Sequence, residues 1–196
     1  MRNDIYVAEN VYKPAEDTFL IADQIPYYKS RRTLDLGTGC GILALLAAET
    51  AEEVVATDLN PHAADCAMQN ARLHGLDHKM NVVVGDLFDP IRTETRFDLI
   101  IFNPPYLPVS NTLHQNDYLS LAWNGGMNGS SVTTRFLAHS SRYLEKNGNI
   151  LLVQSSLSGI EPTISKMHRK GFQVDTVARR STQFEEIAIL SCHRAK

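Results

Sequence analysis

The sequence predicts an α/β fold in three layers, with helices on both faces of a mostly parallel seven-stranded sheet and an antiparallel last strand. Three observations predict it. Short β-rich apolar runs alternate with helical patterns along the 196 residues, as repeated strand–helix–strand units do. The inner runs, such as Phe97-Asp-Leu-Ile-Ile-Phe102, are almost continuously apolar, as strands covered on both faces are. The last two runs lie too close in sequence for a crossover helix, so they must pair antiparallel.

The elements follow in order. Lys13-Pro14-Ala15-Glu16-Asp17 opens an N-terminal helix with two carboxylates in its positive first turn. A strand over 33–37 leads into a helix over 42–50. A strand over 53–58 leads into a helix over 61–75, with Asn60 as N-cap, Pro61 in the first helical position and Gly75 at the C-terminal end. Strands follow over 81–86 and 97–103. Residues 107–131 are polar and glycine-rich, and a loop that long in a compact domain is functional more often than structural. A strand over 149–154, a helix near 160–170 and strands over 172–178 and 186–192 complete the chain.

Length and composition point to one domain spanning 1–196. Apolar residues make up 43% and charged residues 21%, an ordinary globular balance that excludes disorder, collagen-like repeats and disulfide-stapled miniproteins. The longest apolar stretch, Ile42 to Ala48, falls short of the about 18 residues a membrane span needs. Three cysteines, Cys40, Cys66 and Cys192, form no CxxC pair, and with no secretory leader the expected compartment is the cytoplasm. Residues 1–141 net −7 and residues 142–196 net +4. An unaided nucleic-acid binder would carry a stronger basic excess. The basic clusters at 166–170 and 179–180 read as solvated faces.

Three motifs carry chemistry. Asp35-Leu-Gly37-Thr-Gly39-Cys-Gly41 lies between a strand and a helix, where glycines let backbone turn sharply and approach a ligand. Its spacing is GxGxG rather than the pyrophosphate-binding GxGxxG. Asp58 ends the next strand, where a carboxylate can accept both hydroxyls of a ribose. Asp86-Leu87 follows the third strand, within reach of an adenine amino group. Asn103-Pro104-Pro105-Tyr106 leaves the fourth strand and should arise by chance on the order of once in a thousand such chains. Its prolines stiffen the turn and make the Asn103 side chain and the Pro104 carbonyl adjacent acceptors for a planar NH₂ group, with Tyr106 as an aromatic wall. His62 and Cys66 lie four apart on one helix but lack further metal ligands, so packing explains them. Complementarity to the helix dipole explains the Glu16-Asp17 pair.

These motifs resemble class I S-adenosylmethionine methyltransferases with a Rossmann-like fold. VYKPAEDTFLIADQI (11–25), DLGTGCG, TDLNPHA, GDLFDPI, FNPPYLPV and LAWNGGMNG resemble the HemK family, in its short single-domain branch of release-factor glutamine N5-methyltransferases. The separate N-terminal helical domain of bacterial members is absent from these residues. The resemblance implies that residues 1–30 cap the cofactor site and that 107–131 form the substrate loop. It places Thr18 at the methionine end of S-adenosylmethionine, Asp35 with the glycines Gly37, Gly39 and Gly41 near its amino-acid part, Asp58 at the ribose, and Asp86 with Leu87 at the adenine. Asn103, Pro104 and Tyr106 would take the substrate amide, and Trp123 to Gly129 would wall the peptide's path. It also implies two partners: a translation release factor as substrate, and a small zinc-binding activator protein that covers an apolar sheet edge near EVVATD and NVVVGD. Three other classes remain open: methylation of adenine or guanine in DNA or RNA, methylation of protein lysine, and a non-catalytic cofactor-binding subunit.

Overall fold

A computed structural model describes residues 4–109 and 118–195. Its strands are β1 (Arg32–Leu36), β2 (Glu53–Asp58), β3 (Met80–Val84), β4 (Phe97–Phe102), β5 (Leu144–Ser155), β6 (Phe172–Ser181) and β7 (Glu186–Arg194). Its helices are α1 (Glu16–Ala22), α2 (Ile42–Ala48), α3 (Pro61–Leu73), α4 (Tyr118–Leu121), α5 (Ser131–Tyr143) and α6 (Ile160–Arg169). The strands form one sheet in the order β3-β2-β1-β4-β5-β7-β6. All neighbours run parallel except β7, which is antiparallel to both β5 and β6. This is the predicted architecture, with β3 at one edge and β6 at the other.

Alternation along the strands builds the two halves of the core. Leu99, Ile101, Leu151 and Val153 face α1, α2 and α3. Ile100, Phe102, Ile150 and Leu152 face α5 and α6, where Phe136 and Met167 are fully buried. Asn60 caps α3 by accepting the His62 N–H at 2.9 Å, and Gly75 follows that helix in the left-handed region.

Two features differ from the expectation. Helix α5 fills the crossover between β4 and β5, where the sequence showed only a loop and a gap. Its run SVTTRFLAHSSRY is rich in serine, threonine and valine, weak helix formers, yet parallel pairing of β4 with β5 demands a crossover. Strand β5 also begins five residues earlier than Asn149. Phe97 pairs with Leu144 but Leu99 pairs with Asn149, so residues 145–148 bulge out opposite Asp98 alone. Such a bulge breaks the two-residue period that marks a strand.

Candidate active site

Strand order reverses between β1 and β4, whose following helices leave to opposite faces of the sheet. A crevice must form there at the carboxyl edge. It is a cavity of about 700 Å³, lined among others by Gly37, Asp58, Asp86, Asn103, Tyr106 and Trp123.

The β1–α2 turn makes one wall. Gly37, Gly39 and Gly41 have φ of +64°, +58° and +87°, a region that carries a penalty for any residue with a Cβ. A Cβ on Gly39 would meet nothing within 4 Å, so the missing side chain there leaves bare backbone facing the cavity. The Gly39 N–H donates to Asp58 Oδ2 at 2.8 Å, and the Asn60 N–H donates to Asp58 Oδ1 at 2.8 Å. Each carboxylate oxygen keeps a second lone pair for a ligand hydroxyl. Burial raises the Asp58 pKa, against the two N–H bonds that lower it.

Asp86 and Leu87 stand at the end of β3. Asp86 Oδ2 takes a 2.7 Å ion pair from Arg135 of α5, and both residues line the cavity. Leu87 has φ of +48°, a strained setting for a branched side chain. The Thr57 hydroxyl holds its carbonyl at 3.2 Å.

The acceptor end is organised by a residue that sequence reasoning passed over. Asp17 is buried while Glu16 is exposed. Asp17 Oδ1 accepts the Thr18 N–H at 2.6 Å, the Thr18 hydroxyl at 3.2 Å and the Tyr12 hydroxyl at 3.4 Å. Its Oδ2 accepts Asn103 Nδ2 at 3.1 Å and the Tyr106 hydroxyl at 3.3 Å. A carboxylate can only accept here, so it fixes the Asn103 amide with its nitrogen inward. That leaves Asn103 Oδ1 buried with no partner among the described residues, an arrangement that is costly unless a ligand donor completes it. Burial, then the Asp17 charge, raises the pKa of Tyr106 and Tyr12, so both hydroxyls keep their protons. The dipole explanation fits Glu16 but not Asp17. The signal was present: Asp17 lies four residues before buried Ile21, on the inward face of α1.

Of the other predicted residues, Thr18, Leu87 and Pro104 also line the cavity, whereas Asp35 and Gly41 do not. Asp35 is fully buried and accepts the Thr38 hydroxyl at 2.7 Å through Oδ2. Burial pushes its carboxyl up to about 7, against the Thr38 bond, and the Asp58 charge adds to the rise. Gly41 packs α2 on α3: a Cβ there would stand 2.9 Å from Ala67 Cα and Cβ. Trp123 sits in a short ladder with the tetrapeptide's tail. The Leu107 N–H donates to the Trp123 carbonyl at 3.0 Å, and the Gly125 N–H donates to the Leu107 carbonyl at 2.9 Å. Residues 110–117 of the expected substrate loop lie outside the described residues. His62 packs edge-on to Tyr118 at 6.0 Å, and buried Cys66 bonds the Tyr6 carbonyl at 3.3 Å.

Known proteins share this sequence and this shape. Residues 12–117 match the methyltransferase small domain. N5-glutamine methyltransferase MJ0928 of Methanocaldococcus jannaschii is 36% identical over 94% of this chain and 92% of its own. Methyltransferase HEMK2 of Homo sapiens is 31% identical over 92% of this chain and 88% of its own. A chain of the E. cuniculi Mtq2–Trm112 complex, described as responsible for methylation of the eRF1 translation termination factor, has the same fold. It superposes with a TM-score of 0.71 at 23% identity, covering 95% of this chain and 99% of that one. The chain thus belongs to the methyltransferase small domain family and, within it, to the HemK-like methyltransferases.

Proposed function

We propose that the chain transfers a methyl group from S-adenosylmethionine to the side-chain amide nitrogen of a glutamine, in the Gly-Gly-Gln loop of a translation release factor. The observation that carries this reading is Asn103: an acceptor oxygen buried without a partner among the described residues, held in orientation by Asp17, in a cavity wall that Pro104 continues. Two acceptors on a rigid turn match the two N–H bonds of a planar amide. The names of the relatives favour the same acceptor.

The residues present fit the cofactor. The bare backbone at Gly37 and Gly39 would lie along its amino-acid part with Thr18. Asp58 would take the ribose hydroxyls, and Asp86 with the backbone of Leu87 the adenine. Asp35 and Gly41 would act from beneath, by holding the turn. Bound there, S-adenosylmethionine supplies a methyl group already activated on a sulfonium. The chain's own task is a poor nucleophile, since an amide nitrogen shares its lone pair with the carbonyl. Asn103 Oδ1 and the Pro104 carbonyl hold both N–H groups, and these bonds strengthen as positive charge grows on nitrogen. That selectively stabilises the transition state. Tyr106 flanks the amide plane and excludes water, and fixing the nitrogen in line contributes up to about 7–11 kcal/mol.

Two further parts belong to this reading. A small zinc-binding activator pairs along β3, an open edge where Val83 and Val84 are exposed. The reaction belongs in the cytoplasm, with translation. The test offers methyl-labelled S-adenosylmethionine with a release factor, a histone, DNA and rRNA. Label in the factor's glutamine is expected; label in nucleic acid or histone alone overturns the reading.

A further inference from the structure

Three turns beside the acceptor end present large apolar side chains to solvent. Met127 is 74% exposed, Leu157 43% and Phe184 82%. Single exposed apolar residues need no explanation, but these turns adjoin one another. A Cβ on Gly129 would collide with the Tyr106 carbonyl oxygen and approach Ser158 Cβ to 3.1 Å. The Met127 turn is therefore wedged between the acceptor tetrapeptide and the turn at 155–158. That turn is tied to the β6–β7 hairpin. The Ser155 hydroxyl bonds the Glu185 carboxylate, the Ser156 N–H donates to the Glu186 carbonyl at 2.8 Å, and the Glu186 N–H donates to Ser156 Oγ at 3.0 Å. The Glu185 charge lies near enough to Tyr106 and Tyr12 to oppose their ionisation.

The charge of this region is also distinctive. Arg179 is matched by Glu186 at 2.6 Å and Arg180 faces Glu16 at 3.8 Å. With Glu185 added, the carboxylates Glu16, Glu185 and Glu186 balance the cations Lys13, Arg179 and Arg180, and these turns carry no basic excess. A phosphate backbone laid here would meet paired charges and apolar carbon rather than a surplus of cations.

We propose that Met127, Leu157 and Phe184 form a docking rim for a folded protein substrate, which rests apolar residues flanking the acceptor across these turns while the acceptor side chain reaches Asn103. The rim deepens the reading above and rests on it. It adjoins the acceptor tetrapeptide through Gly129, which packs against the Tyr106 carbonyl and Ser158, and so flanks the place where a substrate side chain reaches Asn103. Exposed apolar side chains gathered beside a site mark such a surface, and the lack of a basic excess favours protein over nucleic acid.

Serine substitutions at these exposed positions leave the core intact. For Phe184→Ser and Leu157→Ser/Phe184→Ser, prepared with any co-expressed partner, KM for an intact release factor should rise at least tenfold. Turnover on a short Gly-Gly-Gln peptide and affinity for S-adenosylmethionine should match wild type. If wild type methylates the factor and the variants keep its KM, the rim fails while the acceptor reading stands. Equal loss on the short peptide moves the effect into the cavity, and loss of the co-purified partner assigns the rim to that partner; either overturns the proposal. A wild type that methylates only nucleic acid overturns the rim and the acceptor reading together.

Discussion

Asp17 and Asn103 meet across 86 residues of chain, and their contact turns a stiff tetrapeptide into an oriented acceptor. Asn103→Ala removes that acceptor and leaves Asp58 and Asp86 in place. Turnover should fall by about 10²–10³-fold, with cofactor affinity little changed, as single-turnover transfer at saturating cofactor would read. Asn103→Asp keeps the oxygens and should retain more activity than Asn103→Ala. Asp17→Ala frees the Asn103 amide to rotate and loosens Thr18, so turnover should fall by a larger factor than cofactor affinity does, as single-turnover transfer at saturating cofactor and calorimetry would read. Asp35 offers a test by pH. Its carboxyl sits at about 7 in the fold against an ordinary 3.8, so the folded chain keeps a proton that the unfolded chain releases. Its contribution to stability is greatest below pH about 4 and is lost as pH rises to about 7. Asp35→Asn should flatten that decline, giving a smaller difference in melting temperature between pH 5 and pH 8 than wild type shows.

At the scale of elements, the glycine turn divides two tasks among residues that look equivalent in sequence. Gly39 faces the cavity with open space beyond it, whereas Gly41 lets α2 lie against Ala67 of α3. Gly41→Ala adds left-handed strain, about 1–2 kcal/mol, to overpacking of about 1–3 kcal/mol. Chemical denaturation should show a loss of about 2–5 kcal/mol. Gly39→Ala should lose only the strain, and its larger effect should appear in cofactor affinity. Helix α5 shows a similar division. Its inward face carries Phe136 and Leu137 into the core, and Arg135 brings a cation to Asp86 at the cavity wall. Neither role was visible in a serine- and threonine-rich run that scarcely reads as a helix.

For the whole molecule, the open edge at β3 governs behaviour in solution. Val83 and Val84 are exposed on a strand paired on one side only, a template for a partner's strand or for aggregation. The chain expressed alone should be poorly soluble or weakly active, and co-expression with the proposed activator should improve both. Amide exchange along 80–84 should slow in the complex; unchanged exchange there would remove β3 as the contact. The sequence alone determined the order of the strands and of every helix but α4 and α5, the antiparallel final pair, the glycine turn, the acidic strand ends at Asp58 and Asp86, and the stiff Asn103–Tyr106 turn. These are local signals, written in periodicity, caps and prolines within a few residues of each other. Only the tertiary structure decided that Asp17 orients Asn103, that Asp35 lies beneath the cavity rather than in its wall, that Gly41 serves packing, and that Arg135 holds Asp86. Each depends on which distant segments the sheet order brings side by side, and hydrophobic period along the chain carries no record of that pairing.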